Sequence, residues 1–463
     1  MENINYIPDW AKQAVIYHIY PYGFFNTPKF SKQVPNTLEN IKKLRNFYDH
    51  FHSLGINTIQ MGPVFESVSH GYDIVDYMRI DRRLGDNELF KEIIDELHDN
   101  NFKIILDGVF NHVSREFESF QDILKNRHNS TKLHWHFIDF SRDNPYHDGF
   151  DYKNWENHYE LVKLNLNNPE VKEFIFSVAK YWMTEFKIDG WRLDVAYEIQ
   201  PDFWKNFRNF CKNINPDCFL LGELIYEPYN KYVGPELLDA GTNFQIYKSV
   251  WSSFNSNNMH ELKAVLERSF HKNWGLYKNI VMVNFLGNHD TTRIRSILTD
   301  ERGIYPAFIF LFTTLGIPKI YYGDEIGMFG IKKPDSDEDI RKPMPMSETD
   351  WPENGKYIFD HVKNLIKIRN QNHALIYGSI DYLYADNNYL AFIRKSSLQT
   401  ILVIINTINS PEIKKIPLWN QNLDGSKFIE LLDQGGKKEY IIQNNHLTAE
   451  FFPYWGRILL KID

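Results

Sequence analysis

Three acidic residues, far apart along the chain, each follow a short apolar stretch and could together cleave a glycosidic bond. Asp194 ends the segment Gly-Trp-Arg-Leu-Asp, Glu223 follows a glycine, and Asp290 ends Asn-His-Asp. Cleavage through a covalent intermediate needs a carboxylate that attacks the anomeric carbon and a carboxylic acid that protonates the leaving oxygen, about 5–5.5 Å apart. Asp194 and Glu223 are the natural candidates for that pair. The structural alternatives are a buried ion pair of Asp194 with Arg192 and a helix cap for Glu223.

A cation close in the sequence fits this chemistry. Arg192 stands two residues before Asp194, so on a strand both side chains point to the same face. A fixed positive charge there lowers the pKa of a carboxyl and so favours its ionised form. Asp107 ends another apolar stretch, and the sequence leaves two roles open for it: it orients Arg192 and the nucleophile, or it contacts the sugar.

The elements that must position these residues alternate between strand-like and helix-like patterns, which predicts parallel strands with helices outside. Eight strands are the number needed to close a barrel, and active sites of such barrels lie at the carboxyl ends of the strands. We therefore predict an α/β fold, a (β/α)8 TIM barrel. The predicted strands are Val15–Tyr20, Ile56–Met61, Lys103–Phe110, Ile188–Leu193, Phe219–Gly222, Gly241–Phe244, Ile280–Phe285 and Lys319–Tyr322.

Two of the predicted helices have clear ends. Apolar residues from Leu38 to Leu54 recur at helical spacing, and Gly55 ends that helix. Another helix begins at Asn168-Pro169-Glu170, with an N-cap, a proline at the first helical position and an early acid, and runs to about Phe186.

The strand–helix rhythm is interrupted once and ends before the C-terminus. Residues 113–165 are rich in His, Asn, Asp and Trp and are too long for a simple loop, so we predict an inserted subdomain after the third strand. Short strands with turns from about residue 382 predict an antiparallel C-terminal β-sandwich domain over 376–463. The catalytic barrel is then formed by 1–112 and 166–375.

Composition argues against several partner classes. The net charge is −8 and the basic residues are spread out, so nucleic acid is a poor candidate partner. The N-terminus lacks a secretory pattern, and prolines and a glycine divide the most apolar run, Ile304–Ile320, into a helix and a strand. We expect no membrane association and a cytoplasmic protein. Cys211 and Cys218 are expected to be reduced; a short-loop disulfide is the alternative.

The strand-end segments resemble the conserved motifs of the α-amylase superfamily of glycoside hydrolases, and they occur in the family's order. The likeness covers about the first 375 residues and includes Asp107–His112, Gly190–Asp194, Gly222-Glu223, Asn288–Asp290, His70–Asp73, and Gly316–Pro318 through Tyr322–Glu325. The resemblance implies that Asp194 is the nucleophile and Glu223 the acid/base. It implies that Asp290 stabilises the distorted sugar and the transition state.

The same resemblance implies the substrate-binding residues. Tyr72 would stack beneath the reacting glucose, and His112, Arg192 and His289 would hydrogen-bond its hydroxyls or the nucleophile. Two further residues, Asp73 and Arg293, either pair at the rim of the sugar pocket or form an ordinary surface ion pair.

Within the superfamily, three segments are similar to the neopullulanase, cyclomaltodextrinase and maltogenic amylase branch: Gly190–Ala196, Lys163–Asn165 and Asp339–Met344. The chain departs from that branch at Leu161-Val162, where Met-Pro is usual, and after Glu223, where Leu224-Ile225 replaces an early Trp. Because the predicted barrel starts near Val15, we expect no counterpart of the branch's N-terminal β domain. A homodimer and the substrate range are therefore left open.

The resemblance implies retaining hydrolysis of α-1,4-glucosidic bonds in maltooligosaccharides or cyclodextrins, with an α-glucan oligosaccharide as substrate. A 4-α-glucanotransferase or an α-glucosidase could use the same site, and a non-catalytic sugar-binding relative is the alternative from another class. We expect no cofactor and no metal. Calcium is the alternative, since Asn111 matches a calcium ligand of many secreted relatives, but the insert offers no convincing set of six to eight oxygens.

Overall fold

The structure is a computed structural model, and it describes residues 4–419, 421–432 and 438–462. Eight strands close into a parallel barrel with helices, so the predicted fold class is confirmed. Neighbouring strands run in register: Gly190 pairs with Ile105 on one side and with Phe219 on the other. In chain order the barrel strands are Ile16–Ile19, Thr58–Met61, Lys103–Gly108, Gly190–Leu193, Phe219–Gly222, Ala240–Thr242, Val281–Phe285 and Ile317–Tyr321.

The sixth barrel strand is shorter than predicted. The sequence suggested a strand over Gly241–Phe244, but Asn243 is the N-cap of the helix Phe244–Asn255, and its side chain accepts a hydrogen bond from the Ile246 backbone N–H at 3.2 Å. Asn is a preferred N-cap because its side-chain oxygen satisfies an otherwise unpaired N–H of the first helical turn. The strand prediction was therefore wrong at its last two residues.

The predicted helix over Leu38–Leu54 is in fact two elements. A 3-10 helix spans Asn40–Phe47 and an α-helix follows at Tyr48–Leu54. Buried residues of the first element lie three apart, at Ile41, Leu44 and Phe47, which is the spacing at which 3-10 side chains eclipse. Gly55 ends the segment as predicted, with a backbone φ of +90°.

The helix predicted to begin at Asn168-Pro169 spans Pro169–Glu185. The Asn168 side chain accepts a hydrogen bond from the Glu170 N–H at 2.9 Å, as an N-cap does. The other α-helices are Asp9–Lys12, Pro21–Phe24, Asn87–Asp99, Glu118–Asn126, Pro201–Ile214, Met259–Phe270, Ile294–Ile297, Ile304–Thr313, Gly355–Gln371 and His373–Ile376. In the described part of the chain, no helix has the length and apolar character needed to cross a bilayer.

The chain divides into two compact units. One unit consists of residues 18–48 and 58–241. Besides its barrel strands, this unit contains short antiparallel strands. Phe65–Ser67 pairs with Ile74–Ile80, Ile138–Asp139 pairs with Asp151–Tyr152, and His158–Lys163 pairs with both His112–Ser114 and Asn154–Trp155. The boundaries of the inserted subdomain at 113–165 stay a proposal.

The second unit consists of residues 1–17, 49–57 and 242–463 and includes the antiparallel strands of the C-terminal region. Its sheets have a shared apolar core with Ile393, Leu402 and Phe428 among its buried members. The C-terminal domain boundary at 376 also stays a proposal. One sheet holds Ser379–Ala385, Tyr389–Lys395, Thr400–Asn406, Gly456–Lys461, Lys427–Glu430 and Glu439–Ile441, and a second pairs Glu412–Pro417 with His446–Phe451.

Two buried arginines bind the carboxyl end of the helix Ile304–Thr313. Arg394, on the strand Tyr389–Lys395, donates to the carbonyls of Thr313 at 2.6 Å and Thr314 at 2.8 Å. Arg369 donates to the carbonyl of Phe312 at 3.2 Å. The last carbonyls of a helix carry partial negative charge, so they stabilise these cations. Burial nevertheless lowers the pKa of Arg369 to about 9 and that of Arg394 to about 10.

We predict that Arg394→Ala lowers the free energy of unfolding by about 3 kcal/mol, because it leaves buried carbonyls without donors. The measurement is urea unfolding followed by circular dichroism. Arg142→Ala is the matched control, since the Arg142 side chain is 74% exposed and its removal should change stability by no more than ~0.5 kcal/mol. Equal effects of the two substitutions would contradict the capping role of Arg394.

Candidate active site

One guanidinium group joins three carboxylates at the ends of three neighbouring barrel strands. Arg192 Nη1 donates to Asp107 Oδ1 at 2.8 Å and to Asp194 Oδ1 at 2.8 Å. Its Nη2 lies 2.7 Å from Glu223 Oε1. All four side chains are buried. The parallel register explains the convergence, since Arg192 pairs with Asp107 and Leu193 pairs with Gly222, directly before Glu223.

The backbone after the fourth strand also holds Glu223. Val195 donates its N–H to Glu223 Oε2 at 2.9 Å, and Ala196 donates to the Glu223 carbonyl at 3.1 Å. Val195 has a φ of 38°, in the left-handed region that a β-branched residue rarely adopts. Strain of this kind persists where the surroundings impose it, typically at functional sites. The sequence alone does not predict this contact, because Val195 enters the family motif only as one residue of the segment Gly190–Ala196.

Burial and the Arg192 cation act in opposite directions on the pKa of Asp194. Burial raises the pKa of its carboxyl well above the ordinary value, the Arg192 guanidinium lowers it, and the charges of Glu223 and Asp107 raise it again. Burial likewise opposes the charge of Arg192, but the three carboxylates and the Tyr72 hydroxyl raise the pKa of Arg192 well above its ordinary value. The cation therefore stays charged, and the carboxylates around it exceed it in number.

Tyr72 lies at the edge of this cluster. Its hydroxyl donates to Asp107 Oδ2 at 3.3 Å, and its ring centroid lies 6.0 Å from the Arg192 guanidinium. Gly71 before it has a φ of +88°, and a Cβ there would come within 2.6 Å of Pro63. Only glycine fits that approach, which fixes the direction in which the chain delivers Tyr72.

The other two binding residues predicted in this unit are also buried. Burial lowers the pKa of His112 to about 3, so its imidazole is neutral, and its buried Nε2 atom has no hydrogen-bond partner within the described residues. Asp73 accepts a hydrogen bond from Ser69 Oγ at 2.6 Å and lies 3.8 Å from His70 Nε2. Asp107, whose role the sequence left open, is completely buried against Arg192.

The remaining predicted residues belong to the second unit and form a cluster of their own. His289 Nε2 lies 3.0 Å from Asp290 Oδ2, and Arg341 Nη2 donates to Asp290 Oδ1 at 2.8 Å. Arg341 also donates from Nε to the His289 carbonyl at 2.9 Å. The sequence does not predict that Arg341 is a partner of Asp290, although Arg341 lies in the segment Asp339–Met344 that is similar to a family branch.

Arg293 is completely buried and is not on the surface. It donates from Nη1 to the Tyr322 carbonyl at 2.8 Å and to Asp324 Oδ1 at 2.9 Å. Burial raises the pKa of Asp324 to about 7, while Arg293 lowers it. Arg293 therefore has a buried acidic partner, Asp324, that the sequence does not predict.

The described residues contain no group of three or more His, Cys, Asp or Glu side chains arranged to hold a metal ion. Asn111, the calcium candidate, places its Nδ2 atom 3.2 Å from His112 Nδ1. Its Oδ1 atom is buried without a hydrogen-bond partner in that part of the chain, but one oxygen falls far short of the six to eight that calcium takes.

The barrel and its strand-end carboxylates are those of a glycoside hydrolase, and similarity to known proteins agrees with this class. The model of the alpha-amylase catalytic domain matches residues 19–351, and the chain belongs to the alpha-amylase family. It is 35% identical over 434 residues to a cyclomaltodextrinase of Geobacillus thermopakistaniensis, covering 89% of this chain and 71% of that protein. Neopullulanase 2 of Thermoactinomyces vulgaris is 34% identical, with 98% and 78% covered.

A solved structure of a related enzyme has the same fold. The Nostoc punctiforme debranching enzyme, soaked with acarbose, superposes with a TM-score of 0.81 at 29% identity and covers 99% of this chain and 100% of its own. The resemblance stated from the motifs is thereby confirmed. The roles of the individual site residues stay predictions.

We predict that Arg192→Lys moves the acid limb of the kcat/KM profile to higher pH by about one unit. A lysine contacts fewer carboxylates, so the cation's lowering of the Asp194 pKa is weaker, and the reactive ionised form is lost at higher pH. The measurement is the pH dependence of maltotriose cleavage, with Arg142→Lys as control. An unchanged or lower acid limb would contradict this electrostatic role.

Proposed function

We propose that the protein is a retaining hydrolase of α-1,4-glucosidic bonds in maltooligosaccharides or cyclodextrins. The observation that carries the proposal is that one guanidinium contacts the carboxyls of both Asp194 and Glu223. Two carboxyls that share one guanidinium are compatible with the short separation of about 5–5.5 Å that retaining enzymes use. The printed names of the relatives support the substrate class.

In the first step Asp194 attacks the anomeric carbon while Glu223 donates a proton to the leaving glycosidic oxygen. The carbon–oxygen bond to the leaving sugar breaks, and a covalent glycosyl–Asp194 ester forms. In the second step Glu223, now ionised, takes a proton from water, which attacks the same carbon and releases Asp194.

The neighbouring side chains fit supporting roles. Tyr72 offers an aromatic ring beside the Arg192 guanidinium, and neutral His112 offers a buried nitrogen that lacks a partner in the described chain and suits a sugar hydroxyl. Asp290 and His289 would stabilise the distorted ring. Asp73 and Arg293 stay candidates for the rim of the sugar pocket. The cytoplasmic location and a homodimer stay predictions from the sequence.

A substrate whose leaving group needs no proton distinguishes the role of Glu223 from that of Asp194. We predict that Glu223→Gln lowers kcat/KM for maltotriose by about 10²–10⁴-fold, while α-maltosyl fluoride still gives a burst of fluoride, because fluoride leaves without a proton. Asp194→Ala should abolish cleavage of both substrates. The measurements are fluoride release and chromatography of the sugars. An Asp194→Ala variant that keeps more than a tenth of the rate would overturn the nucleophile assignment.

We also predict that the first product released from maltotriose or β-cyclodextrin is the α-anomer, since two inversions at the anomeric carbon restore its configuration. Proton NMR in the first minutes of reaction measures the anomer, and chromatography measures product lengths, with pullulan as a third substrate. A β-anomer would refute the retaining mechanism. Products longer than the supplied sugar would indicate a glucanotransferase, and glucose as the only product would indicate an α-glucosidase.

A further inference from the structure

One buried tyrosine contacts the segment that carries His112 and has no role in the chemistry proposed above. Tyr77 lies in the strand Ile74–Ile80 and is 1% exposed. Its hydroxyl donates to the Val109 carbonyl at 2.6 Å and lies 3.4 Å from the His112 carbonyl. These carbonyls belong to the first and last residues of the segment 109–112, which follows the third barrel strand. One hydroxyl therefore contacts both ends of this segment.

The Tyr77 ring is held firmly in the core. Its backbone carbonyl accepts a hydrogen bond from Trp182 Nε1 at 2.8 Å. A phenylalanine would fill the same apolar space, and a hydroxyl buried there would be unfavourable without an acceptor. The hydroxyl therefore serves the two carbonyls and not the packing. The rings that contact Tyr77, with centroids 5.8–6.0 Å away, are those of Phe65, Phe110, Phe117 and Phe174.

The segment 109–112 is held at more than one point. Near its far end, the Leu164 backbone N–H donates to the Asn111 carbonyl at 2.9 Å. Tyr77 adds the contact at Val109, where the segment leaves the barrel strand. Without the hydroxyl, the buried Val109 carbonyl would lose this donor, and an unsatisfied buried carbonyl is costly enough for the backbone to shift toward another partner. Such a shift would be passed along the segment to His112.

The function predicted for His112 depends on where this backbone lies. The side chain is 2% exposed, and its Nε2 atom is buried without a hydrogen-bond partner among the residues that the structure describes. Buried polar atoms are normally hydrogen-bonded, so a sugar hydroxyl is a fitting partner for this nitrogen. Hydrogen bonds weaken steeply when their distance or angle departs from the optimum. A small displacement of His112 would therefore weaken its contact with the sugar.

We propose that Tyr77 is a positioning residue for the cleavage reaction: its hydroxyl fixes the segment 109–112 and so places His112 Nε2 against a hydroxyl of the sugar bound at Asp194. The inference rests on the proposed function, because that function brings a sugar to His112. Tyr77 itself touches no substrate in this scheme. Its effect on the reaction passes through His112, and this dependence distinguishes positioning from a general contribution to stability.

The first test is a double-mutant cycle on maltotriose cleavage. Tyr77→Phe should lower kcat/KM by about tenfold in the otherwise unchanged protein, because a misplaced contact with the sugar weakens binding of the transition state. In a His112→Ala background the same substitution should lower kcat/KM by less than about twofold, since the group that Tyr77 positions is gone. Losses that add independently in the two backgrounds would overturn the proposal.

Tyr152→Phe is the matched control in the same compact unit. Tyr152 is 4% exposed, and its hydroxyl donates to the Tyr159 carbonyl at 2.7 Å, so this substitution also removes a donor from a backbone carbonyl. It should change kcat/KM by less than about twofold, even where urea unfolding shows that both substitutions lower stability alike. Equal losses of activity in the two variants would leave Tyr77 with a structural role only and so contradict the proposal.

A second readout identifies the sugar hydroxyl on which the two residues act. The reacting ring of α-maltosyl fluoride carries free hydroxyls at carbons 2, 3 and 6, and each of three deoxy analogues lacks one of them. The loss of rate caused by His112→Ala should vanish on the analogue that lacks the partner of His112. The loss caused by Tyr77→Phe should vanish on that same analogue. A Tyr77→Phe loss of equal size on the parent fluoride and all three analogues would refute the positioning role.

An NMR measurement separates this inference from the proposed function. In protein labelled with ¹³C-histidine, the His112 imidazole signal is assigned by its disappearance in His112→Ala. It should move in Tyr77→Phe and keep its position in Tyr152→Phe, whether or not the protein cleaves maltotriose. A signal that stays in place in Tyr77→Phe would overturn the positioning role. A wild-type protein that cleaves neither maltotriose nor α-maltosyl fluoride would instead refute the proposed function.

Discussion

The site depends on the pairing of one buried cation with more than one buried anion. Arg192 contacts Asp107, Asp194 and Glu223, which arrive from three barrel strands. Burying a carboxylate without a partner costs several kcal/mol, and the shared guanidinium offsets part of that cost for all three carboxyls. A lysine has no fork to reach all of them. The arginine thus constrains the positions of the three carboxyls as well as their charge.

The register of the barrel strands brings the three carboxyls and Arg192 to the same end of the barrel, but the loops after the strands orient their side chains. Val195, in a left-handed conformation, directs its N–H at Glu223, and Gly71 permits the close turn that delivers Tyr72. Both features belong to residues that contact no substrate in the proposed chemistry. Backbone geometry at two turns therefore decides how the side chains of the site face each other.

Much of this arrangement could be predicted from the sequence, because a barrel places the carboxyl ends of its strands at one face and the motif residues lie at those ends. What sequence missed was of two kinds. The contacts of Arg341 with Asp290 and of Arg293 with Asp324 join residues tens of positions apart, and no local pattern encodes them. The apolar spacing before Tyr48 resembles that of an α-helix, so the sequence does not predict the 3-10 helix there. The segment around Asn243 resembles a strand, so the sequence does not predict the helix cap.

The way the helix Ile304–Thr313 ends has a consequence for how this protein can be divided. Arg394 comes from the antiparallel sheet yet satisfies carbonyls of a helix that belongs to the catalytic region. A fragment that stops after residue 375 would carry that helix with two carbonyls stripped of their donor. The C-terminal sheet thus supplies part of the hydrogen bonding that completes this helix, and a truncation before the sheet removes that contribution.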